Sequence, residues 1–132
     1  MTIKSIFFTF ILATGCCFQE SNAQSTGDDL DPNKCIRSAG YVWSSIKKDC
    51  IRPFELETQL VNKENIFFAS ILFSASLDSV EVFSKEGQFL LMKKKKNYYI
   101  GNSDDVSYFI EKNNSKWVMG KNETDEILYT EK

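Results

Sequence analysis

Short apolar-alternating runs follow one another through the chain from residue 67 onward, separated at near-even intervals by clusters of turn residues. In IFFASILFS, Phe67, Ala69, Ile71 and Phe73 fall on one face, and Phe68, Ser70, Leu72 and Ser74 on the other. A period of two is what a half-buried β-strand requires. SVEVFS, FLLMK, NYYIG, VSYFIEK, KWVMG and EILYT continue the series, divided by KEGQ, GNSDD, KNNS and GKNETD. Glycine, asparagine and aspartate tolerate the backbone conformations of tight hairpins, so each divider reads as a turn. No long helical period interrupts the runs. The pattern predicts a mainly β fold: an antiparallel meander that closes as a small barrel or packs as a sandwich, with one short N-terminal helix. Closure has a physical motive, because an open meander leaves strand edges that pair with other chains. The stretch from Glu55 to Asn65 fits either a strand with a loop or one helical turn.

The N-terminal part is built differently. Lys4 precedes an apolar run from Ile6 to Phe18, followed by Ser21-Asn22-Ala23, whose small residues suit cleavage before Gln24. The run is shorter than the roughly 18 apolar residues that a membrane-spanning helix needs. Residues 1–23 are therefore expected to be a signal peptide, residues 24–30 a flexible leader, and residues 31–132 a single β domain that is not transmembrane. The product is expected to be periplasmic or secreted. Ala13-Thr14-Gly15-Cys16 offers an alternative, a lipoprotein with its acyl anchor on Cys16 at the cell envelope. Cleavage after Ala23 discards both Cys16 and Cys17, whereas acylation of Cys16 strands Cys17, and this parity favours release.

Cys35 and Cys50 remain. Zinc would need about four ligands, and the chain holds no histidine. A thioredoxin-like site needs a much closer pair of cysteines. In an exported chain the expected state is a structural disulfide, and closing a loop of this length stabilises a fold by about 3 kcal/mol. Asp31-Pro32 is a helix-start signature, Gly40 a helix stop, and YVWSSI and CIRPFE read as two strands around Lys47-Lys48-Asp49. The bond is thus expected to tie a short helix, on which Cys35, Ile36 and Ala39 share a face, to the second strand. Trp43 is expected to pack near it.

Several functions are excluded or weakened by inventory. The net charge of −2 supplies no field for phosphate backbones, so nucleic acid is not an expected partner. The absence of histidine removes Ser-His and Cys-His nucleophile pairs. Carboxylate-only hydrolysis would need two acids facing across a cleft, whereas Asp and Glu here fall mainly in turns. Asp29, Asp31 and Asn33 copy the opening spacing of a calcium loop, but Lys34 stands where that loop needs glycine. The chain is expected to be no enzyme, and to carry neither metal nor cofactor. The remaining candidate site is a basic and aromatic patch: Lys95 and Lys96 from the KKKK run, Tyr98, Tyr99 and Trp117, suited to an acidic or sugar-like partner. The bland alternative makes KKKK a solvated hairpin end that discourages edge pairing.

The segment C-x(4)-GY-x-W-S at Cys35, Gly40, Tyr41, Trp43 and Ser44, followed by CIRPFE from Cys50 to Glu55, resembles small, uncharacterised exported bacterial proteins. More loosely, the later strands are similar to the eight-stranded barrel of bacterial c-type lysozyme inhibitors. That resemblance implies a disulfide-bearing barrel. It does not carry over the inhibitory loop, since Ser74-Ala75-Ser76 lacks the Ser-Gly pair and no cysteine follows Cys50. The function expected is that of an exported non-catalytic binding module, inhibitor-like in kind, with a protein or glycan partner; the alternative is an envelope lipoprotein or structural accessory protein acylated at Cys16.

Overall fold

The computed structural model describes residues 29–132; the expected signal peptide, residues 1–23, and the alternative acylation site, Cys16, lie outside them. Eight strands close into one antiparallel barrel: β3 (Thr58–Val61), β4 (Phe68–Phe73), β5 (Ser79–Ser84), β6 (Gly87–Lys95), β7 (Tyr98–Ser103), β8 (Val106–Asn113), β9 (Lys116–Lys121) and β10 (Glu126–Glu131). Each strand pairs with its neighbour in sequence, and β10 returns to β3 through Thr130↔Val61 and Glu131↔Leu60. Of the two architectures that the alternation allows, the barrel is the one formed.

The alternation decides the interior. Ala69 and Ile71 of β4, Val80 and Val82 of β5, Leu91 of β6 and Ile110 of β8 all point inward and are almost wholly buried. Their intervening residues face outward, as the two-residue period of a strand demands. Turn chemistry holds the register. Asp104-Asp105 and Asn114-Ser115 both adopt positive φ at two successive residues, the geometry whose twist matches two-residue hairpins. The ambiguous stretch before β4 resolves into β3 and a loop, in which the Asn62 side chain accepts hydrogen bonds from the backbone of Ile66 and Phe67 at 2.8 and 2.9 Å.

A small clip precedes the barrel. β1 (Val42–Ser44) and β2 (Asp49–Ile51) form a two-stranded ladder in which Trp43 lies opposite Cys50. The Cys35–Cys50 disulfide is present and ties the clip together. The helix expected from Asp31 is shorter and begins later: a single 3-10 turn, Arg37–Ala39. Asp31 spends its carboxylate on the backbone amides of Asn33 and Cys35, at 2.8 Å each, closing a local turn rather than capping a helix. Cys35 and Ile36 therefore share no helical face with Ala39; Ile36 instead bridges to Leu30. Gly40 does end the turn, at φ 80°. Asp29 and Leu30 belong to the clip, since Asp29 accepts from the Ser38 backbone and hydroxyl at 2.9 and 2.8 Å, so the expected leader stops short of them. CIRPFE is a strand only as far as Ile51, after which Pro53–Glu55 forms a second 3-10 turn with proline at its start.

Candidate functional site

The five residues of the basic and aromatic patch do not share a surface. Tyr99 points into the barrel and is 3% exposed; its hydroxyl donates to the Leu77 carbonyl at 2.8 Å. Trp117 stands half-buried inside the same mouth, 4.8 Å from Phe73 and 6.2 Å from Tyr99, ring centre to ring centre. Tyr98, one residue along β7, faces outward and lies parallel to Phe109 at 6.0 Å. The Lys95 ammonium sits 5.3 Å above the Tyr98 ring, so the structure brings these two together, with Lys96 exposed in the adjoining turn. Burial, then the negative charges of Glu111 and Asp125, raises the Tyr98 phenol above its ordinary value. Burial does the same for Tyr99, helped by Asp78. The two tyrosines thus separate because adjacent strand residues point to opposite faces.

The exposed aromatic rings lie elsewhere. Between the clip and the outer wall of β3–β6 runs an open groove of about 700 Å³. Val42, Pro53 and Phe54 form its clip side; Phe68 and Phe83 form its barrel side. Phe54 is 64% exposed and Phe68 49%. Ile66 and Phe67, next in the chain to Phe68, are also exposed, which makes three consecutive large apolar residues open to water. The Lys132 ammonium lies 4.4 Å above the Phe68 ring at the rim.

Polar groups on the groove floor are already occupied. The Ser70 hydroxyl donates to Gln59 Oε1 at 2.8 Å, and Gln59 Nε2 donates to the Pro53 and Leu56 carbonyls at the same distance. This glutamine fixes the turn that carries Phe54 against the barrel. Gly40 completes the support: a Cβ on it would stand 2.7 Å from the Phe54 ring. With floor and walls so engaged, what the groove offers an incoming ligand is apolar surface.

Glu81 determines where the clip sits. It is on the outer face of β5, between the inward Val80 and Val82, and is 1% exposed. Its carboxylate accepts from the Ser44 hydroxyl at 2.6 Å, from the backbone amides of Ser45 and Ile46 at 2.9 and 3.3 Å, and from Gln88 Nε2 at 2.8 Å. Gln88 Nε2 also donates to the Trp43 carbonyl. A buried carboxylate is tolerable only when donors replace its lost water, and here the β1–β2 turn supplies them. In the sequence, Glu81 is one outward residue of SVEVFS like any other; nothing local marks it as covered. Phe68 carried a faint signal, as a large ring on the otherwise mixed face of β4.

Among the described residues no cluster of acidic or cysteine side chains could hold a metal ion, and no helix is long and apolar enough to cross a membrane. The molecule is thus a small eight-stranded barrel with a disulfide-closed clip pinned to its wall and an apolar groove beneath. No family model matches the chain, and neither a curated protein nor a solved structure matches it.

Proposed function

We propose that the chain is an exported, non-catalytic binding module whose groove receives apolar side chains of a partner protein. The observation that carries this is the pair of exposed rings, Phe54 and Phe68, that line an open apolar groove together with Val42, Pro53 and Phe83. Contiguous apolar surface on a small domain costs solubility and marks interaction sites, and aromatic anchors flanking a pocket are the residues on which binding energy concentrates. The Cys35–Cys50 disulfide fits a compartment outside the reducing cytosol. The Lys132 charge at the rim favours a partner whose apolar anchor is followed by a carboxylate.

The test is affinity capture from envelope extract and culture medium with the chain from Gln24 onward, run beside a Phe54→Ser, Phe68→Ser double variant. Both rings are about half exposed or more, at 64% and 49%, so the variant is expected to keep the barrel's circular dichroism. A protein retained by the wild type and lost by the folded variant supports the groove as the binding surface. Equal retention by both, or retention by neither, removes it.

A further inference from the structure

Three hairpin tips meet at the mouth of the barrel that Tyr99 and Trp117 line, and backbone bonds lock them together. The Lys93 amide donates to the Asp78 carbonyl at 2.8 Å, joining the β6–β7 hairpin to the β4–β5 loop; the Lys112 amide donates to the Asn97 carbonyl at 3.0 Å, joining β8–β9 to β6–β7. On these joined tips stand Lys93, Lys94, Lys95, Lys96, Lys112 and Lys116, all exposed. Among the described residues none of these lysines is within ion-pair distance of a carboxylate. Of the carboxylates near this end, Glu131 is engaged by the Trp117 amide at 2.8 Å, which leaves Glu57, Asp78 and Glu111 against the six lysines.

The opposite mouth is on balance negative: Asp104, Asp105, Glu123 and Asp125 stand in its turns, Glu64 lies in the β3–β4 loop, Glu126 pairs with Lys121 at 3.9 Å and Glu86 accepts from the Tyr129 hydroxyl, with Lys63 and Lys85 offsetting part of that charge. The small net charge therefore conceals a barrel that is positive at one end and negative at the other. Such an asymmetry orients a molecule in front of a charged surface.

At the positive end a large apolar side chain is held out. Leu77 is 53% exposed and has φ 60°, a left-handed conformation that bulky residues avoid. Its surroundings impose it. The Leu77 amide donates to the Ser74 carbonyl at 3.0 Å, the Tyr99 hydroxyl holds the Leu77 carbonyl at 2.8 Å, and the Ser74 hydroxyl accepts from the amides of Asp78 and Ser79 at 3.1 and 3.2 Å. A loop serving only to connect β4 to β5 gains nothing from a leucine there, since asparagine or glycine would take this backbone without strain.

We propose that this end of the barrel docks on an anionic lipid surface, with the lysines over the headgroups and Leu77 entering the acyl boundary. Lysine suits that task as a strongly hydrated point charge on a flexible stem. Each lysine close to an anionic bilayer contributes roughly fivefold in affinity, and an apolar side chain that leaves water adds to this in a way salt does not screen. The surface is separate from the groove, and neither depends on the other.

The experiment is co-sedimentation of the chain from Gln24 onward, which carries the whole clip and barrel without the apolar run of residues 1–23, with phosphatidylcholine vesicles and with vesicles that also contain phosphatidylglycerol. Binding is expected to the second kind alone and to weaken as salt rises. Lys94→Ala with Lys96→Ala is expected to weaken it roughly 25-fold, from two fivefold contributions. Leu77→Asn, which accepts the same backbone conformation, is expected to weaken it severalfold at every salt concentration. Phe68→Ser is expected to change nothing, which separates this surface from the groove. No binding to the anionic vesicles overturns the proposal. So does a pattern in which soluble polyphosphate binds as tightly as the vesicles and Leu77→Asn leaves both unaffected, because the surface would then recognise phosphate rather than a bilayer.

Discussion

Replacing Glu81 with alanine tests whether one buried carboxylate holds the clip to the barrel. The change leaves the Ser44 hydroxyl and the amides of Ser45 and Ile46 without their acceptor; Gln88 keeps the Trp43 carbonyl. Ser44 is fully buried, whereas Ser45 and Ile46 are partly open to water, so solvent recovers some of what the two amides lose. Three donors at about 1 kcal/mol each give a loss of about 3 kcal/mol, since removing one partner of a buried polar set exposes the others to the full desolvation penalty. With a urea dependence of about 1.5 kcal/mol per molar, the unfolding midpoint falls by about 2 M. Glu81→Gln keeps one acceptor and is expected to fall between. Hydrogen exchange localises the effect: Ser45 and Ile46 amides lose protection, while those of β8 and β9, on the far side of the barrel, keep theirs relative to the new global stability. A midpoint lowered by less than about 0.3 M, with both amides still protected, would refute the assignment, because the resulting loss would be under about 0.5 kcal/mol at that slope.

Reduction of Cys35–Cys50, or its replacement by a pair of serines, is expected to cost about 3 kcal/mol while the barrel's far-UV circular dichroism persists below the new transition; loss of all β signal would show that the barrel depends on the clip. Gly101→Ala places a Cβ 2.7 Å from the Leu90 carbonyl oxygen and 2.9 Å from a Leu91 methyl, so β6 and β7 must part slightly, at about 1–3 kcal/mol; an unchanged urea midpoint would contradict this packing. Burial first, and then the hydrogen bond to Glu86, raises the Tyr129 phenol well above its ordinary 10.0. The folded state then holds a proton that the unfolded state releases, so its stabilisation is complete below pH 10 and declines as pH climbs toward the folded value. Tyr129→Phe is expected to flatten that decline, as measured by urea midpoints across the alkaline range.

Much of the barrel was legible in the chain because strand alternation and turn chemistry are local properties. The period of two in IFFASILF already separated Ala69 and Ile71 from Ser70 and Leu72, and the dividers held the asparagine and aspartate residues that positive φ requires. Export chemistry and cysteine count were enough to expect the Cys35–Cys50 bond. The helix expected at Asp31 failed for an equally local reason: an aspartate can satisfy amides two and four residues on in a turn as well as at a helix start.

The surfaces were not legible. Tyr98 and Tyr99 are adjacent letters whose rings alternation puts on opposite faces, and the closed barrel makes one of those faces its outer wall and the other its core. Phe54 and Phe68 are fourteen positions apart in a chain whose intervening segment gives no sign that a proline turn returns one toward the other. Glu81 became a buried anchor only when a turn from the N-terminal clip came down on it from 37 residues away. The lysines and acids gathered at opposite mouths because consecutive hairpins of an antiparallel barrel alternate between its ends, a sorting that net charge erases. The sequence alone thus determined the strands from β4 to β10 and their inward faces, through interactions that span a few residues, and its cysteine count determined the disulfide. What faces the solvent, what is covered and which charges stand together were decided by closure, because those depend on neighbours that only the tertiary structure supplies.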